Sequence, residues 1–212
     1  RLVVVRPDVQ GLHARAFGEF LQPQTTEVVG GQSVTIDVTR GAVGLDISSV
    51  SVASPPSHGA AVVQGMSIVY TADGAFSGTD SFTYTVNNAG GPSAPGTVTI
   101  TVRPAVTAGP EKTATILAGQ TATVELTEGA TGSPFTGAAV VSVGPNGAGT
   151  ATVVPRTQGG VQLYDLVFTP ADEFTGEATV LYTLSNAFTT SAPGTVTITV
   201  EARPDPGVDP EV

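Results

Sequence analysis

The sequence contains no cysteine, no tryptophan and a single lysine, Lys112. Without cysteine the chain forms no disulfide bond and offers no thiolate, so its fold must be held together by packing. Only two histidines occur, His13 and His58, which are too few nitrogen ligands for a zinc site in a chain without cysteine. Disulfide-stapled domains, thiol chemistry and zinc-stabilised folds are therefore excluded by composition.

Charged residues are also scarce, at 12% of the 212 residues, and they carry a net charge of −10. An acidic chain without a basic, aromatic-rich stripe repels phosphate groups, which makes nucleic acid and anionic membrane surfaces unsuitable partners. No apolar run approaches the roughly 18 residues that a bilayer-crossing helix needs, so we expect no membrane insertion. The apolar residues, 40% of the chain, alternate with threonine and serine, which indicates a folded chain rather than a disordered one.

A direct repeat organises the chain, because residues 93–102 recur without a single change at 191–200. The offset between the two copies is 98 residues here and falls to 88 nearer the front of each copy. The second copy thus carries about ten extra residues, which we place in a surface loop at 155–160, since loops accept insertions at low cost in closure entropy. Two aromatic matches at the offset of 98 are Tyr70 with Phe168 and Tyr84 with Tyr182.

Apolar and polar residues alternate with period two along most of each copy. In 97–102 the valines and the isoleucine face one side and the threonines the other, as in a half-buried strand. Turn residues interrupt these segments every eight to twelve residues or so, which is typical of an immunoglobulin-like sandwich. Only 12–21 has the apolar spacing of a short helix. Strands are predicted at 34–38, 50–53, 60–63, 67–71, 82–86 and 97–102, and in the second copy at 122–126, 139–143, 150–154 and 164–169.

The predicted fold class is all-β, with two tandem immunoglobulin-like β-sandwich domains arranged end to end. Pro104 keeps the residue before it extended and leaves little slack between the two domains. Arg-Pro pairs close both copies and also occur near the start, so we expect a segment of a longer chain whose neighbouring modules are its partners. We divide the chain into a lead-in segment at 1–23, domain 1 at 24–103, domain 2 at 104–202 and a Pro- and Asp-rich linker at 203–212.

Residues 70–86, closed by 97–102, resemble the bacterial Ig-like and cadherin-like tandem repeat modules of large secreted or surface proteins. The shared pattern is Phe-Ser-Gly-x-Asp-x-Phe-x-Tyr-x-Val followed by a polar loop and a Thr/Val strand. The second copy, over 168–200, keeps part of this pattern but has Ala178 and Val180 in place of the aspartate and the first aromatic residue. The resemblance implies the stalk of an adhesin or of an autotransporter passenger, exported to the surface of a bacterium.

In such repeats, acidic clusters near the joints imply calcium ions that stiffen the stalk. Here the corresponding segments, 38–44 and 126–132, contain no clustered acids, and a hard cation requires several carboxylate oxygens. Calcium therefore has no sequence support, and we predict no metal ligand and no cofactor. The nearest acid pairs, Asp37 with Asp80 and Asp172 with Glu173, are interpreted as solvated surface carboxylates.

Candidates for catalysis are few. His58 lies in a Ser-His-Gly turn, but a Ser-His-Asp hydrolase needs a strained nucleophile turn, and no Gly-x-Ser-x-Gly motif occurs. The acids lie in turns or beside threonines, which does not indicate the paired carboxylates of a glycosidase. Lys112, Asn186 and Glu125 are the residue types of a Lys–Asn cross-link, yet a solvent-exposed lysine at a domain entrance is the preferred interpretation. We therefore predict no catalytic residue and no enzyme.

Two functions remain. The first is a non-catalytic structural spacer or stalk segment of an adhesin-type bacterial protein, extracellular or at the cell surface. The second is a ligand-binding module that recognises a host or cell-surface carbohydrate or protein through end loops at 54–59, 87–95 or 155–160. For the second function, the candidate loop residues are Phe188, Asn186 and His58, since a ligand loop needs rigid aromatic anchors.

Overall fold

The computed structural model describes residues 21–40 and 46–204. The chain divides into two compact units, Arg1–Pro104 and Ala105–Val212, below called domain 1 and domain 2. Within the described residues every regular element is a β-strand. The predicted helix at 12–21, most of the lead-in segment and most of the linker lie outside the described residues, and the end-to-end arrangement of the domains stays a prediction.

Domain 1 is built from two sheets. One sheet has the order β1-β8-β6-β3, with the short β7 beside β6, and the other has the order β2-β5-β4. The first strand runs parallel to the last, and the other pairings are antiparallel. The strands are β1 Gln24–Val29, β2 Ser33–Asp37, β3 Ser49–Ser54, β4 Gly59–Gln64, β5 Ser67–Ala72, β6 Gly78–Asn88, β7 Gly91–Pro92 and β8 Gly96–Arg103.

Domain 2 repeats this topology. Its sheets have the orders β9-β15-β14-β11 and β10-β13-β12, and again the first strand is parallel to the last. The strands are β9 Lys112–Leu117, β10 Ala122–Glu125, β11 Gly137–Gly144, β12 Gly149–Gln158, β13 Val161–Pro170, β14 Gly176–Ser185 and β15 Gly194–Glu201.

The alternating residues of the strands fill a separate core in each domain. In β8, Val98, Ile100 and Val102 are buried while the intervening threonines are not, as the period-two pattern predicts. The largest fully buried side chains are aromatic or branched aliphatic and come from strands of both sheets. They include Tyr70, Phe82 and Tyr84 in domain 1 and Phe168, Tyr182 and Leu184 in domain 2.

The unchanged repeat of residues 93–102 has a structural cause. Ser93 is buried, and its hydroxyl accepts a 3.1 Å hydrogen bond from the Val86 N–H; Ser191 does the same for Leu184. A Cβ on Gly96 would lie 2.9 Å from Cζ of Tyr84, so only glycine fits beneath that ring. The repeated segment therefore bonds to the last residues of one strand through its serine and packs the next strand against a buried tyrosine.

The extra residues of the second copy extend a hairpin rather than a loop. β4 and β5 have six residues each, whereas their counterparts β12 and β13 have ten. The hairpin turns at Gly159 and Gly160, whose φ angles of 58° and 80° suit the tight turn of a two-residue hairpin. The position predicted for the insertion is confirmed, but the loop predicted there is wrong, because the four residues added to each of the two strands pair across the ladder.

Candidate functional site

His58 lies in the connection between β3 and β4 of domain 1. Its exposed ring stacks on Phe76, with the ring centroids 3.8 Å apart and the planes 4° from parallel. Its backbone N–H donates a 3.0 Å hydrogen bond to the carboxylate of Asp80. The segment around His58 is thus held by a backbone hydrogen bond to Asp80 and by the stacking of the His58 ring on Phe76.

Asp80 is the centre of a buried network. Only 5% of the residue is exposed, and its carboxylate accepts hydrogen bonds from the backbone N–H groups of Ser57, His58 and Ser81 and from the hydroxyl of Tyr70. Burial alone would raise the pKa of Asp80, but these hydrogen bonds outweigh it and the pKa lies below its usual value. The prediction of a solvated surface carboxylate at this position is wrong, because the loop at 54–59 closes over Asp80 through two of its N–H groups while Tyr70 donates from the neighbouring sheet.

Tyr70 is the buried donor of this network. Its hydroxyl lies 2.8 Å from Asp80 Oδ2, and burial, reinforced by the hydrogen bond to Asp80, raises the pKa of Tyr70. The hydroxyl therefore stays protonated and remains a hydrogen-bond donor. The network positions the loop at 54–59; it does not present a reactive group to solvent.

Domain 2 lacks the whole network, not one part of it. The residues that match Tyr70, His58 and Asp80 in the strand register are Phe168, Ala148 and Ala178, all fully buried. The backbone bond that joins this turn to the next loop is retained, since Asp73 N–H donates to His58 in domain 1 and Ala171 N–H to Ala148 in domain 2. The matching site in domain 2 is therefore apolar and closed.

Phe188 lies in the loop between β14 and β15 of domain 2 and is 48% exposed. Asn186 holds this loop: its side-chain oxygen accepts from the backbone N–H groups of Phe188 and Thr189, and its nitrogen donates to the carbonyl of Gly132 in the neighbouring loop. Asn186 is itself buried. It therefore orients Phe188. The binding role predicted for these two residues stays a prediction.

The three candidate residues do not form one site within a domain. The loop at 54–59 lies beside the first residues of β6, because Ser57 and His58 bind Asp80 there. The loop at 87–95 follows the last residues of the same strand. The end loops at 54–59 and 87–95 thus lie at opposite ends of β6, so His58 and a residue placed like Phe188 face different surroundings.

Sequence reasoning missed a charged cluster on the long hairpin of domain 2. Arg156 Nε donates to Asp165 Oδ2 at 2.7 Å, and its Nη2 forms a second ion pair with Glu125 on β10. Thr127 donates to the other oxygen of Glu125 at 3.0 Å. A signal was present, because Arg156 is the only cation of the inserted residues, but its partners could be found only from the strand register.

Lys112 borders an open cavity of about 460 Å³ in domain 2. Its ammonium group donates a 2.6 Å hydrogen bond to the carbonyl of Glu128, while the amide of Asn186 is bound to Gly132 and the carboxylate of Glu125 to Arg156. The three side chains considered for a Lys–Asn cross-link thus have separate partners. In residues 21–40 and 46–204, no three His, Cys, Asp or Glu side chains are grouped where they could share a metal ion.

Two packed sheets, with the first strand parallel to the last, define each unit as an immunoglobulin-like β-sandwich. The chain belongs to the bacterial Ig domain family, whose model matches it twice, over residues 20–101 and 103–199. The family resemblance and the all-β tandem fold predicted from the sequence are thus confirmed. Domains of this family are typically not enzymes. No helix among the described residues is long and apolar enough to span a membrane.

Comparison with curated proteins gave no match. Among solved structures, a tandem pair of titin Ig domains is 12% identical with a TM-score of 0.31, covering 85% of this chain and 94% of that one. Protocadherin gamma B2 extracellular cadherin domains are 8% identical with a TM-score of 0.39, covering 85% and 38%. An endo-fucoidan hydrolase is 12% identical with a TM-score of 0.31; the match covers 84% of this chain and only 32% of the hydrolase. Likeness at this level carries no argument about function.

Proposed function

We propose that this chain is a non-catalytic spacer segment in the stalk of a bacterial extracellular or cell-surface protein of the adhesin type. One observation carries the proposal. Two buried ionisable side chains of domain 1, Asp80 and Tyr70, hold a loop in place, and domain 2 has apolar residues at both positions. Asp80, Tyr70 and the turn at His58 act together in domain 1, and their counterparts are alanine and phenylalanine.

A spacer needs modules that fold on their own cores and keep a fixed length. Each domain has its own buried cluster, and strands β8 and β15 have eight residues each. Strands of that length extend about 26 Å. The partners expected for such a segment are the neighbouring modules of the same longer chain.

The spacer proposal is tested by display on a bacterial surface. The chain is inserted between a membrane anchor and a reporter tip domain, and tip access is measured with antibody-coated beads that are too large to enter the surface layer. Bead binding should rise relative to the tip alone. Equal bead binding with and without the insert would contradict a spacer role.

The alternative function, a ligand-binding module, is favoured by one observation. Phe188 is half exposed on a loop that Asn186 orients through two backbone bonds, and such a rigid aromatic residue suits a carbohydrate or protein ligand. The test compares the wild type with Phe188→Ala on glycan arrays and host cells, with Val141→Ala, an exposed residue of β11, as the matched control. Saturable binding lost only in Phe188→Ala would establish the alternative; no binding by any variant would support the spacer.

A further inference from the structure

The turn between β11 and β12 of domain 2 contains an asparagine followed by glycine, at Asn146 and Gly147. The turn is closed by a 3.0 Å hydrogen bond from the Ala148 N–H to the Pro145 carbonyl, and Gly147 has a φ of 85°. Both residues are exposed, and no atom lies within 4 Å of a Cβ built on Gly147. The side of Gly147 on which a side chain would project is thus open among the described residues.

The other asparagines of the chain differ from Asn146 in two ways. Each is followed by asparagine or alanine, and each side chain is engaged in a hydrogen bond. Their bonds run from Asn87 to the Ser49 hydroxyl, from the Gly90 N–H to Asn88, and from Asn186 to the Gly132 carbonyl. The Asn146 side chain has no such bond to the described residues.

We infer that Asn146 is a site of spontaneous deamidation, a reaction that needs water as its only co-reactant. The deprotonated backbone nitrogen of Gly147 attacks Cγ of Asn146, a C–N bond forms, and the side-chain amide leaves as ammonia. The resulting five-membered succinimide is then opened by water at either carbonyl. Opening at one carbonyl gives aspartate and at the other gives isoaspartate, so the net change is gain of one water and loss of one ammonia.

The modification is particular to domain 2. The matching turn of domain 1 has no asparagine, and the backbone N–H groups of Ser57 and His58 are bound by Asp80. In domain 2 the turn has no carboxylate beneath it, since Ala178 stands there. Only the domain 2 copy of this turn thus combines an asparagine with unbound backbone N–H groups at 146 and 147 among the described residues.

The product changes the turn chemically. Either product adds a carboxylate to an already acidic chain, and isoaspartate also adds a methylene group to the backbone beside Gly147. Ala148, the next residue, closes the turn through its N–H and accepts a 2.9 Å bond from the Ala171 N–H through its carbonyl. We therefore expect isoaspartate to loosen this turn and its bond to the loop after β13.

The experiment incubates the whole chain at mildly alkaline pH, natively and in urea, and follows each asparagine by peptide mass spectrometry. Isoaspartate is separated from aspartate by chromatography against synthetic peptides. Asn146 should convert first in the native chain while the other three asparagines stay intact, with one ammonia released per converted chain. The variant Asn146→Gln should release none over the same period.

Two outcomes would overturn the inference. In one, Asn146 stays intact in the native chain while the urea-unfolded chain converts, which would show that the turn protects it. In the other, Asn87, Asn88 or Asn186 converts before Asn146. Hydrogen exchange of the native product should show faster exchange at Ala148 and Ala171 than in Asn146→Gln, whereas unchanged exchange would refute the predicted loosening of the turn.

Discussion

The hydroxyl of Tyr70 donates a 2.8 Å hydrogen bond to the carboxylate of Asp80, and domain 2 has Phe168 and Ala178 at the two matching positions. Tyr70 without Asp80 would keep only its 3.1 Å bond to the His58 carbonyl, and Asp80 without Tyr70 would lose one of its four donors, so changing one partner alone leaves the other less well bonded. The two positions therefore differ between the copies as a pair. The same fold is stabilised in one domain by a polar network and in the other by apolar packing.

Asp80→Ala should destabilise domain 1 by about 2–4 kcal/mol, because four donors lose a buried, charged acceptor. The measurement is hydrogen exchange of the full chain during urea unfolding, read separately from peptides of each domain. Peptides of domain 2 serve as the internal control and should not change. Tyr70→Phe combined with Asp80→Ala reproduces the pair found in domain 2 and should recover part of the loss; a double variant less stable than Asp80→Ala would contradict the pairing argument.

Domain 1 should be more sensitive to acid than domain 2. Although burial opposes ionisation of Asp80, its hydrogen bonds lower the pKa, so the ionised form favours the folded state. This stabilisation is complete above the unfolded pKa, near about 4, and is lost as the pH falls from there through the lower pKa of the folded state. Domain 2 has Ala178 at this position and no such contribution.

The acid test follows the amide signals of Ser57, His58 and Ser81 by NMR as the pH is lowered. In the wild type their protection should fall in this window. In Asp80→Asn, which keeps the shape and does not titrate, the dependence should flatten. Identical acid profiles in the two proteins would show that other carboxylates are responsible.

The strands could be predicted from the sequence because the solvent-facing threonines and buried valines of a half-buried strand alternate. Val98, Ile100 and Val102 show this, and they lie inside as expected. The sequence-based prediction does not include β1 and β9, the first strands of each domain, and their parallel pairing with the last strands could not be predicted, since those partners lie far along the chain. Alternation reports burial within a segment, and it carries no information on which segment lies beside it.

The candidate site was less predictable than the fold. Asp80 sits between small polar residues, which suggests an exposed acid, and only the approach of the loop at 54–59 explains its burial. The ligand role predicted for Asn186 stays a prediction, and the bonds by which its side chain holds the Phe188 loop could not be predicted from the sequence. Both side chains act through backbone groups distant in sequence, which a residue pattern does not reveal.

Gly96→Ala should destabilise domain 1 by about 1–3 kcal/mol through overpacking, since the new Cβ would lie 2.9 Å from the Tyr84 ring. Gly74→Ala is the matched control in the same domain, because no atom lies within 4 Å of a Cβ there. Urea unfolding with exchange readout on domain 1 peptides compares the two. An equal effect of both variants would indicate that lost backbone freedom, and not the tyrosine, determines the requirement for glycine.

Arg156→Ala should loosen the long hairpin of domain 2, because Arg156 joins Asp165 on its own hairpin to Glu125 on β10. Partly exposed ion pairs of this kind contribute about 1 kcal/mol to stability. Their loss in Arg156→Ala corresponds to roughly fivefold faster exchange in peptides covering 155–164. Arg103→Ala is the control: it removes an arginine of domain 1 that pairs with Glu27, and it should leave exchange in the peptides covering 155–164 unchanged. The effect of Arg156→Ala should shrink as salt is added. A hairpin that exchanges at the wild-type rate in Arg156→Ala at low salt would show that the ladder alone holds it.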